Sequence, residues 1–244
     1  MRIDIALVVF VCAVAFTMIA APDGRCASLE VAPTTLRLDA NSGSTVLYLA
    51  NRGNQPIIVQ IEGLDWGQAN STDQLKPTDA IIISPPMTRI NPGQKQTVRL
   101  LVRPGGAPGI ERTFRILASE LPDPAVTSAQ AVRILLQFSV PLFTAASSVQ
   151  PVNLSWSAVV RRNSLTFGVH NIGNAHVKFS RLALVTAHGR RIDILSQGFA
   201  YVLADGAHEW IIAAPGIQPG ERLTVEGRIE DNDHPVHALV AVRP

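Results

Sequence analysis

Apolar residues occupy every second position between Ala131 and Phe143, and this alternation constrains the fold more than any other feature of the chain. A helix would spread such side chains around its circumference, whereas a strand directs all of them to one face. The run therefore predicts a strand with these apolar positions: Val132, Ile134, Leu136, Phe138, Val140 and Leu142. In an ordinary sandwich the apolar face of a strand is core. This run is longer than the usual length of about 5 to 6 residues, so a part that overruns its own sheet can serve a partner.

Short apolar runs continue along the chain after Ser28 and are separated by Gly, Pro and Asn. Runs of this length with such separators are typical of strands and turns. After the first residues, no window of about ten residues has the apolar spacing of an amphipathic helix. The sequence therefore predicts an all-β chain.

Two short motifs occur twice, in the same order. Asn51–Ile57 is echoed by Asn171–Val177, and Ile90–Gly93 is echoed by Ile217–Gly220. In the first motif Asn and Gly suit positive φ, and in the second Pro-Gly before a strand is typical of a type II turn. Two echoes at similar offsets predict two related sandwiches of about 100 residues each, as in immunoglobulin-like domains. The small residues and proline from Ala145 to Pro151 predict the linker, which divides the chain into domains at 28–147 and 148–244.

The amino-terminal residues resemble a secretory signal. Residues Ile5 to Ala21 are apolar apart from Thr17 and follow Arg2, which is the order of the charged and apolar regions of such a signal. We predict a signal peptide over residues 1–27 and an exported mature protein, with cleavage after Ala21 or after Cys26. The alternative is an uncleaved anchor, although the run is at the short limit for a membrane span.

Both cysteines, Cys12 and Cys26, fall in this leader region, so we expect no disulfide within the folded part. With 244 residues, of which 47% are hydrophobic, the chain is long enough to build its cores by packing. The net charge of +2, without a Lys/Arg run, gives no reason to expect a nucleic-acid partner.

Motifs of catalysis are missing from the sequence. It contains no nucleophile elbow, P-loop, dinucleotide fingerprint or cysteine cluster. We therefore expect a non-enzymatic protein without a cofactor or a small-molecule substrate. His234 and His237 form the closest histidine pair, but a spacing of three places their side chains on opposite faces of a strand, so we expect no metal site.

Two groups of side chains required a choice between a structural and a binding role. We interpret the three tryptophans as core or inter-sheet residues rather than as a ligand platform: they are Trp66, Trp156 and Trp210. Four arginines fall in predicted strands of the first domain, and such charges either protect sheet edges or hold an anionic group: they are Arg99, Arg112, Arg115 and Arg133.

Three segments together resemble one known family. They are Ser84-Pro85-Pro86-Met87 leading to Asn91-Pro92-Gly93-Gln94 and Thr97-Val98-Arg99, then Phe114-Arg115 followed by Glu120-Leu121-Pro122, and Ser139-Val140-Pro141-Leu142-Phe143. The chain is similar over its whole mature length to the periplasmic pilus-assembly chaperones of the chaperone–usher pathway, and most to the archaic branch found with spore-coat-U-like fimbriae. The resemblance implies two immunoglobulin-like sandwiches with a cleft between them, a periplasmic location, and pilin-like subunits and an outer-membrane usher as partners.

The resemblance also implies a mechanism, donor-strand complementation, in which the chaperone lends a strand to a subunit sandwich that lacks one. The strand would be Ala131 to Phe138, and its Val132, Ile134, Leu136 and Phe138 would fill pockets in the subunit.

In the better-known branch of the family, two basic residues hold the terminal carboxylate of the subunit. The matching positions here carry Thr35 and Pro141, which departs from that pattern. Arg115 and Arg99 are the candidate replacements, because a guanidinium binds a carboxylate through two parallel hydrogen bonds. The alternative function is that of a secreted two-sandwich adhesive or carbohydrate-binding protein, which should present aromatic side chains on exposed loops; only 5% of the residues are aromatic.

Overall fold

The computed structural model describes residues 29–38, 43–123, 134–145, 151–230 and 234–244. Within these ranges the regular structure consists of strands and no helix forms, so the all-β prediction is confirmed. It follows that the described residues contain no helix with the length and apolarity of a membrane span. The leader prediction lies outside the described residues.

Among the described residues, ten strands form the first sandwich: β1 (Leu29–Ala32), β2 (Leu36–Leu38), β3 (Ser44–Asn51), β4 (Ile57–Ala69), β5 (Thr72–Pro77), β6 (Ile81–Ser84), β7 (Met87–Ile90), β8 (Lys95–Val102), β9 (Arg112–Leu121) and β10 (Gln137–Thr144). One sheet has the order β1-β3-β8-β6, and the other has the order β2-β10-β9-β4-β5, with β7 also paired to β4. Alternate side chains from both sheets meet in one core that extends from Leu29 to Leu142 along the chain.

The described part of the second sandwich has eight strands: β11 (Leu154–Arg161), β12 (Ser164–Asn171), β13 (Val177–Val185), β14 (Arg191–Leu195), β15 (Ala200–Val202), β16 (Ala207–Ala213), β17 (Arg222–Ile229) and β18 (His234–Arg243). They are hydrogen-bonded in the order β14-β13-β17-β18-β11-β12-β16, with β15 paired to β13. Their inward side chains form a separate core between Ala158 and Val242. Trp156 and Trp210 pack against this core on either side of Phe167, which agrees with the structural role predicted for them.

The apolar run from Leu29 to Leu38 forms two strands, which belong to different sheets. β1 pairs with β3, whereas β2 pairs with β10, so the chain crosses from one sheet to the other between Ala32 and Leu36. Pro33 stands at the crossing and, having no N–H group, cannot continue the ladder. At the crossing the buried apolar positions shift from Leu29 and Val31 to Leu36 and Leu38, that is, from odd to even residues, and both halves face the same core.

The long alternating run is shorter as a hydrogen-bonded strand than the sequence predicts. β10 begins at Gln137, and the N–H of Glu120 still donates to the carbonyl of Leu136 at 2.8 Å. By continuation of the register, Ile134 lies opposite Pro122, which has no N–H to donate. The ladder with β9 therefore ends close to this point. Residues 131–133 lie outside the described residues.

The repeated motifs are repeated structures. Gly93 and Gly220 both have positive φ, 73° and 88°, and in each turn the N–H that follows the glycine donates to the carbonyl three residues earlier. The predicted type II turns are thus confirmed. The motif Asn51–Ile57 and its echo Asn171–Val177 also recur, but the prediction of positive φ at their glycines was wrong. Neither Gly53 nor Gly173 has positive φ.

Candidate functional site

The edge of β10 is partly uncovered. On one side β10 pairs with β9 over its whole length, from Gln137 to Thr144. On the other side β2 pairs only with Leu142–Thr144. In the described part of the chain, Gln137–Pro141 therefore has no partner strand on that side, and such an edge presents backbone groups to which another strand can add.

The apolar face of the same segment changes from core to solvent along its length. Val140 and Leu142 are fully buried in the first core. Leu136 and Phe138 pack against that core but are only partly buried, and Ile134 is 77% exposed. The alternation that predicts one strand thus contains a core half and an outer half. Val132, the remaining predicted donor residue, lies outside the described residues.

Arg115 lies next to this edge in the sheet. It is directly opposite Pro141 in the β9–β10 ladder, and continuation of the parallel β2–β10 register places Thr35 beside Pro141 on the other side. Thr35 and Pro141 are the two positions where the similar family has basic residues. They therefore form one row across the sheet with Arg115. Leu36, Leu142 and Phe114 face the core, so this row faces outward.

The guanidinium of Arg115 is held over an aromatic ring. Its Cζ lies 3.7 Å from the centre of the Trp66 ring and 5.6 Å from that of Tyr201. Its Nη2 lies 3.7 Å from Oδ2 of Asp73, and only 14% of the side chain is exposed. Burial lowers the pKa of Arg115 from its ordinary value, and the charge of Asp73 opposes that shift. Arginine nevertheless stays protonated in proteins, so the site keeps a partly desolvated positive charge.

Arg99, the second candidate from the sequence, is not brought close to Arg115. It lies on β8, in the other sheet of the first sandwich, opposite Val46. Its neighbours Val98 and Leu100 are buried in the core, whereas Arg99 is exposed on the outer face of its sheet. The two arginines thus belong to opposite faces of the sandwich.

Arg37 is the basic residue that sequence reasoning missed. It lies on β2 opposite Phe143, and its Cζ is 5.8 Å from the centre of the Phe143 ring. Leu36 and Leu38 on either side are buried, so Arg37 projects from the same outward face as Arg115. The Leu-Arg-Leu alternation could have predicted that Arg37 faces outward. The sequence does not show that β2 lies beside β10.

The outward face meets the second sandwich through aromatic rings. Trp66 and Phe143 of the first sandwich form a buried cluster with Tyr201 and Leu203 of the second. The ring of Phe143 also stacks on that of His176, with centres 3.6 Å apart and an angle of 8° between planes. Trp66 therefore lies between the two sandwiches rather than inside one core.

Polar side chains also form hydrogen bonds between the two sandwiches. The Gln68 amide donates to the carbonyl of Tyr201 and accepts from the N–H of Leu203, both at 2.9 Å. Oε2 of Glu111 accepts a hydrogen bond from the N–H of His176 at 2.8 Å and lies 2.7 Å from its ring Nδ1. These bonds connect the two sandwiches at separate points, so they restrict the angle between them.

Within the described residues, no group of three or more His, Cys, Asp or Glu side chains is placed to hold a metal ion. The features brought together are instead an open strand edge, exposed apolar side chains and outward-facing arginines beside an aromatic cleft. Such a surface suits the binding of an extended chain segment with a negative charge near one end.

Comparison with known proteins identifies the family. The model of the family described as pili and flagellar-assembly chaperone, PapD N-terminal domain, matches residues 28–150. No curated protein matches the chain by sequence.

Solved structures show the same fold at low identity. The CsuC–CsuE chaperone–tip adhesion subunit complex of archaic Csu pili from Acinetobacter baumannii matches with a TM-score of 0.68 and 21% identity, covering 89% of this chain and 100% of that one. The chaperone SafB, solved with the SafA pilin of Salmonella enterica, matches with a TM-score of 0.58 and 20% identity, covering 88% and 97%. The CupB2 chaperone of Pseudomonas aeruginosa matches with a TM-score of 0.56 and 17% identity, covering 87% and 100%.

The family match covers half of the chain, and it includes both the open edge of β10 and the outward arginines. The chain therefore belongs to the family of pilus-assembly chaperones.

Proposed function

We infer that this chaperone acts in the periplasm, binds pilin-like subunits by donor-strand complementation, and delivers them to an outer-membrane usher. The observation that carries this inference is the open edge of β10 with its apolar side chains. A non-enzymatic role agrees with the family, and we propose that the chain belongs to the archaic branch of the chaperone–usher pathway.

The proposed donor residues are Val132, Ile134, Leu136 and Phe138. Full burial of such a side chain is worth about 1.5 to 3 kcal/mol. Among the three donor residues that the structure describes, Ile134, which is 77% exposed, has the most area left to bury against a subunit. Leu136 and Phe138 already contact the core of the first sandwich, so their contribution to binding is smaller.

Arg115 and Arg37 are the proposed anchor for the terminal carboxylate of the subunit. Both project from the outward face of the sheet that contains the open edge. Pro141, opposite Arg115, is seven positions from Ile134 along the chain, a separation of about 23 Å for extended backbone. A subunit strand that ends near the arginines would then run along the edge of β10 toward Ile134. Arg99 lies on the opposite sheet and serves as a control.

We propose residues 1–27 as a signal peptide and 28–147 and 148–244 as the two domains. The separate cores, one from Leu29 to Leu142 and one from Ala158 to Val242, support these limits. A signal peptide that directs export is consistent with a function in the periplasm.

The test is co-expression of the full chain in the bacterial periplasm with a pilin-like subunit encoded beside it. We expect the subunit to remain soluble and to co-purify with the chaperone in equimolar amounts. Alone, the subunit should aggregate or be degraded, because its unfilled groove exposes apolar surface. If the subunit is equally soluble without the chaperone, or never co-purifies with it, the proposed function is wrong.

A further inference from the structure

Phe199, in the second sandwich, is a large apolar side chain exposed to solvent close to the cleft. It is 57% exposed and follows Gly198, whose φ of 77° forms the turn before β15. Its ring lies 5.4 Å from that of Tyr201, nearly edge to face. Tyr201 in turn contacts Trp66 and Phe143. A continuous path of rings therefore leads from the end of β10 to an exposed ring on the opposite wall.

The ammonium group of Lys178 packs on the face of the Phe199 ring. Its Nζ lies 4.4 Å from the centre of the Phe199 ring and 5.7 Å from that of Tyr201. The same Nζ is paired with Oε2 of Glu230 at 2.7 Å, and 15% of the Lys178 side chain is exposed. Tyr201 lies opposite Lys178 in the β13–β15 ladder. The ring of Phe199 is thus supported on one face and one edge while most of it remains accessible.

We propose that Phe199, supported by Lys178, is a second-sandwich part of the subunit site and packs on an apolar side chain in the carboxyl-terminal segment of the bound subunit. This inference rests on the proposed function, which places the terminal carboxylate of that segment at Arg115 and Arg37. The occupant follows from position and charge: Arg115 contacts the same Tyr201 ring that Phe199 contacts. A segment whose carboxylate reaches the arginines brings its last side chains to this wall. The second sandwich thereby contacts the carboxyl-terminal end of the subunit, while β10 binds in the groove of the subunit.

A supported ring is well suited to this role. An aromatic side chain that is already held loses little conformational freedom on binding, so more of its contact area is converted into affinity. Its exposure in the free chain leaves that area unused within the sandwich itself. Replacing Phe199 should consequently weaken binding of the subunit and leave folding of the free chaperone almost unchanged.

The experiment measures the affinity of purified full-length chaperone for the co-expressed subunit defined above. We expect Phe199→Ser to weaken binding at least tenfold, which corresponds to about 1.4 kcal/mol. Leu239→Ser is the matched control, because Leu239 is 67% exposed in the same sandwich and should have no effect. Replacing the last apolar residue of the subunit with Ala should also weaken binding, and in the doubly altered complex the two losses should be less than additive.

Three results separate the possible failures. If Phe199→Ser binds as tightly as the unaltered chain, or if its loss is fully additive with the subunit change, this inference is wrong and the proposed function stands. If Phe199→Ser lowers the unfolding midpoint of the free chaperone in proportion to the lost binding, the ring is structural and the inference is also wrong. Failure of the unaltered chain to bind the subunit overturns the proposed function and this inference together.

Discussion

Asn171 makes in the second sandwich the same three side-chain hydrogen bonds that Asn51 makes in the first. Each Nδ2 donates to the carbonyl four residues later and to a carbonyl far along the chain, Ile90 for Asn51 and Val202 for Asn171. Each Oδ1 accepts from the N–H two residues later. Both asparagines are fully buried. The repeat in the sequence is therefore a repeated bridge that connects a turn to a distant segment.

This bridge predicts a loss of stability in Asn51→Ala. The substitution leaves the buried carbonyl of Ile90 without this partner, and such a group costs about 1 to 3 kcal/mol. Urea unfolding should show a free energy of unfolding lower by at least one such increment. Asn54→Ala, at an exposed position in the same turn, is the control and should be neutral. Equal stability of the two variants would contradict the role assigned to Asn51.

Part of the fold was predictable because the pattern of each strand is local. The Pro-Gly turns at Gly93 and Gly220 and the all-β class follow from turn chemistry and from a period of two, which depend on neighbouring residues alone. The crossing at Pro33 was not predicted, because the sheet that each half joins depends on β3 and β10, which lie farther along the chain. The role of Asn51 was misread because its partner Ile90 lies 39 residues away, beyond any local pattern.

The candidate site shows the same division. Ile134 was recognised from its alternation, but only the register shows that the ladder stops opposite Pro122. Arg99 and Arg115 look equivalent in sequence, since each lies in a strand between apolar residues. They differ because β8 and β9 belong to different sheets, and strand order is a property of the whole fold. Arg37 escaped notice for the same reason.

The two outward arginines predict a charge-dependent loss of binding. Arg115→Ala and Arg37→Ala should each weaken capture of the subunit, because a hydrogen bond to a charged group contributes about 1.5 to 3 kcal/mol. Titration of purified chaperone with refolding subunit measures the change. Arg99→Ala should bind normally, since that residue lies on the opposite sheet.

Arg115→Ala also removes a cation from the face of Trp66, so its stability must be measured beside its binding. A cation–π contact of this kind contributes about 0.5 to 2 kcal/mol. Arg115→Lys, which keeps the charge, should recover part of the binding. If Arg99→Ala weakens capture as much as the other two variants do, the assignment of the anchor is wrong.

The contact between the sandwiches predicts a change of shape in Gln68→Ala. This substitution removes two hydrogen bonds to the backbone of Tyr201 and Leu203, each worth about 0.5 to 1.5 kcal/mol. Small-angle X-ray scattering should show a larger radius of gyration, because the angle between the sandwiches is less restricted. Gln74→Ala, on the exposed strand β5, should scatter like the unaltered chain. Identical scattering from both variants would exclude Gln68 as a determinant of the angle.

The lent strand is the central claim, and Ile134 tests it most directly. Ile211 is the matched control, since it is an isoleucine with the same 77% exposure in the second sandwich. Surface substitutions at such positions change stability by at most about 0.5 kcal/mol. Ile134→Asp and Ile211→Asp should therefore both fold as stably as the unaltered chain.

The decisive measurement is the yield of subunit that co-purifies from the periplasm with each variant, set beside the unfolding midpoint of the free variant. We expect Ile134→Asp to lose the subunit, because a carboxylate inserted into an apolar pocket without a partner costs several kcal/mol. Ile211→Asp should retain it. An Ile134→Asp chaperone that remains folded and still delivers subunit in normal yield, or one that unfolds as a core variant would, contradicts the account.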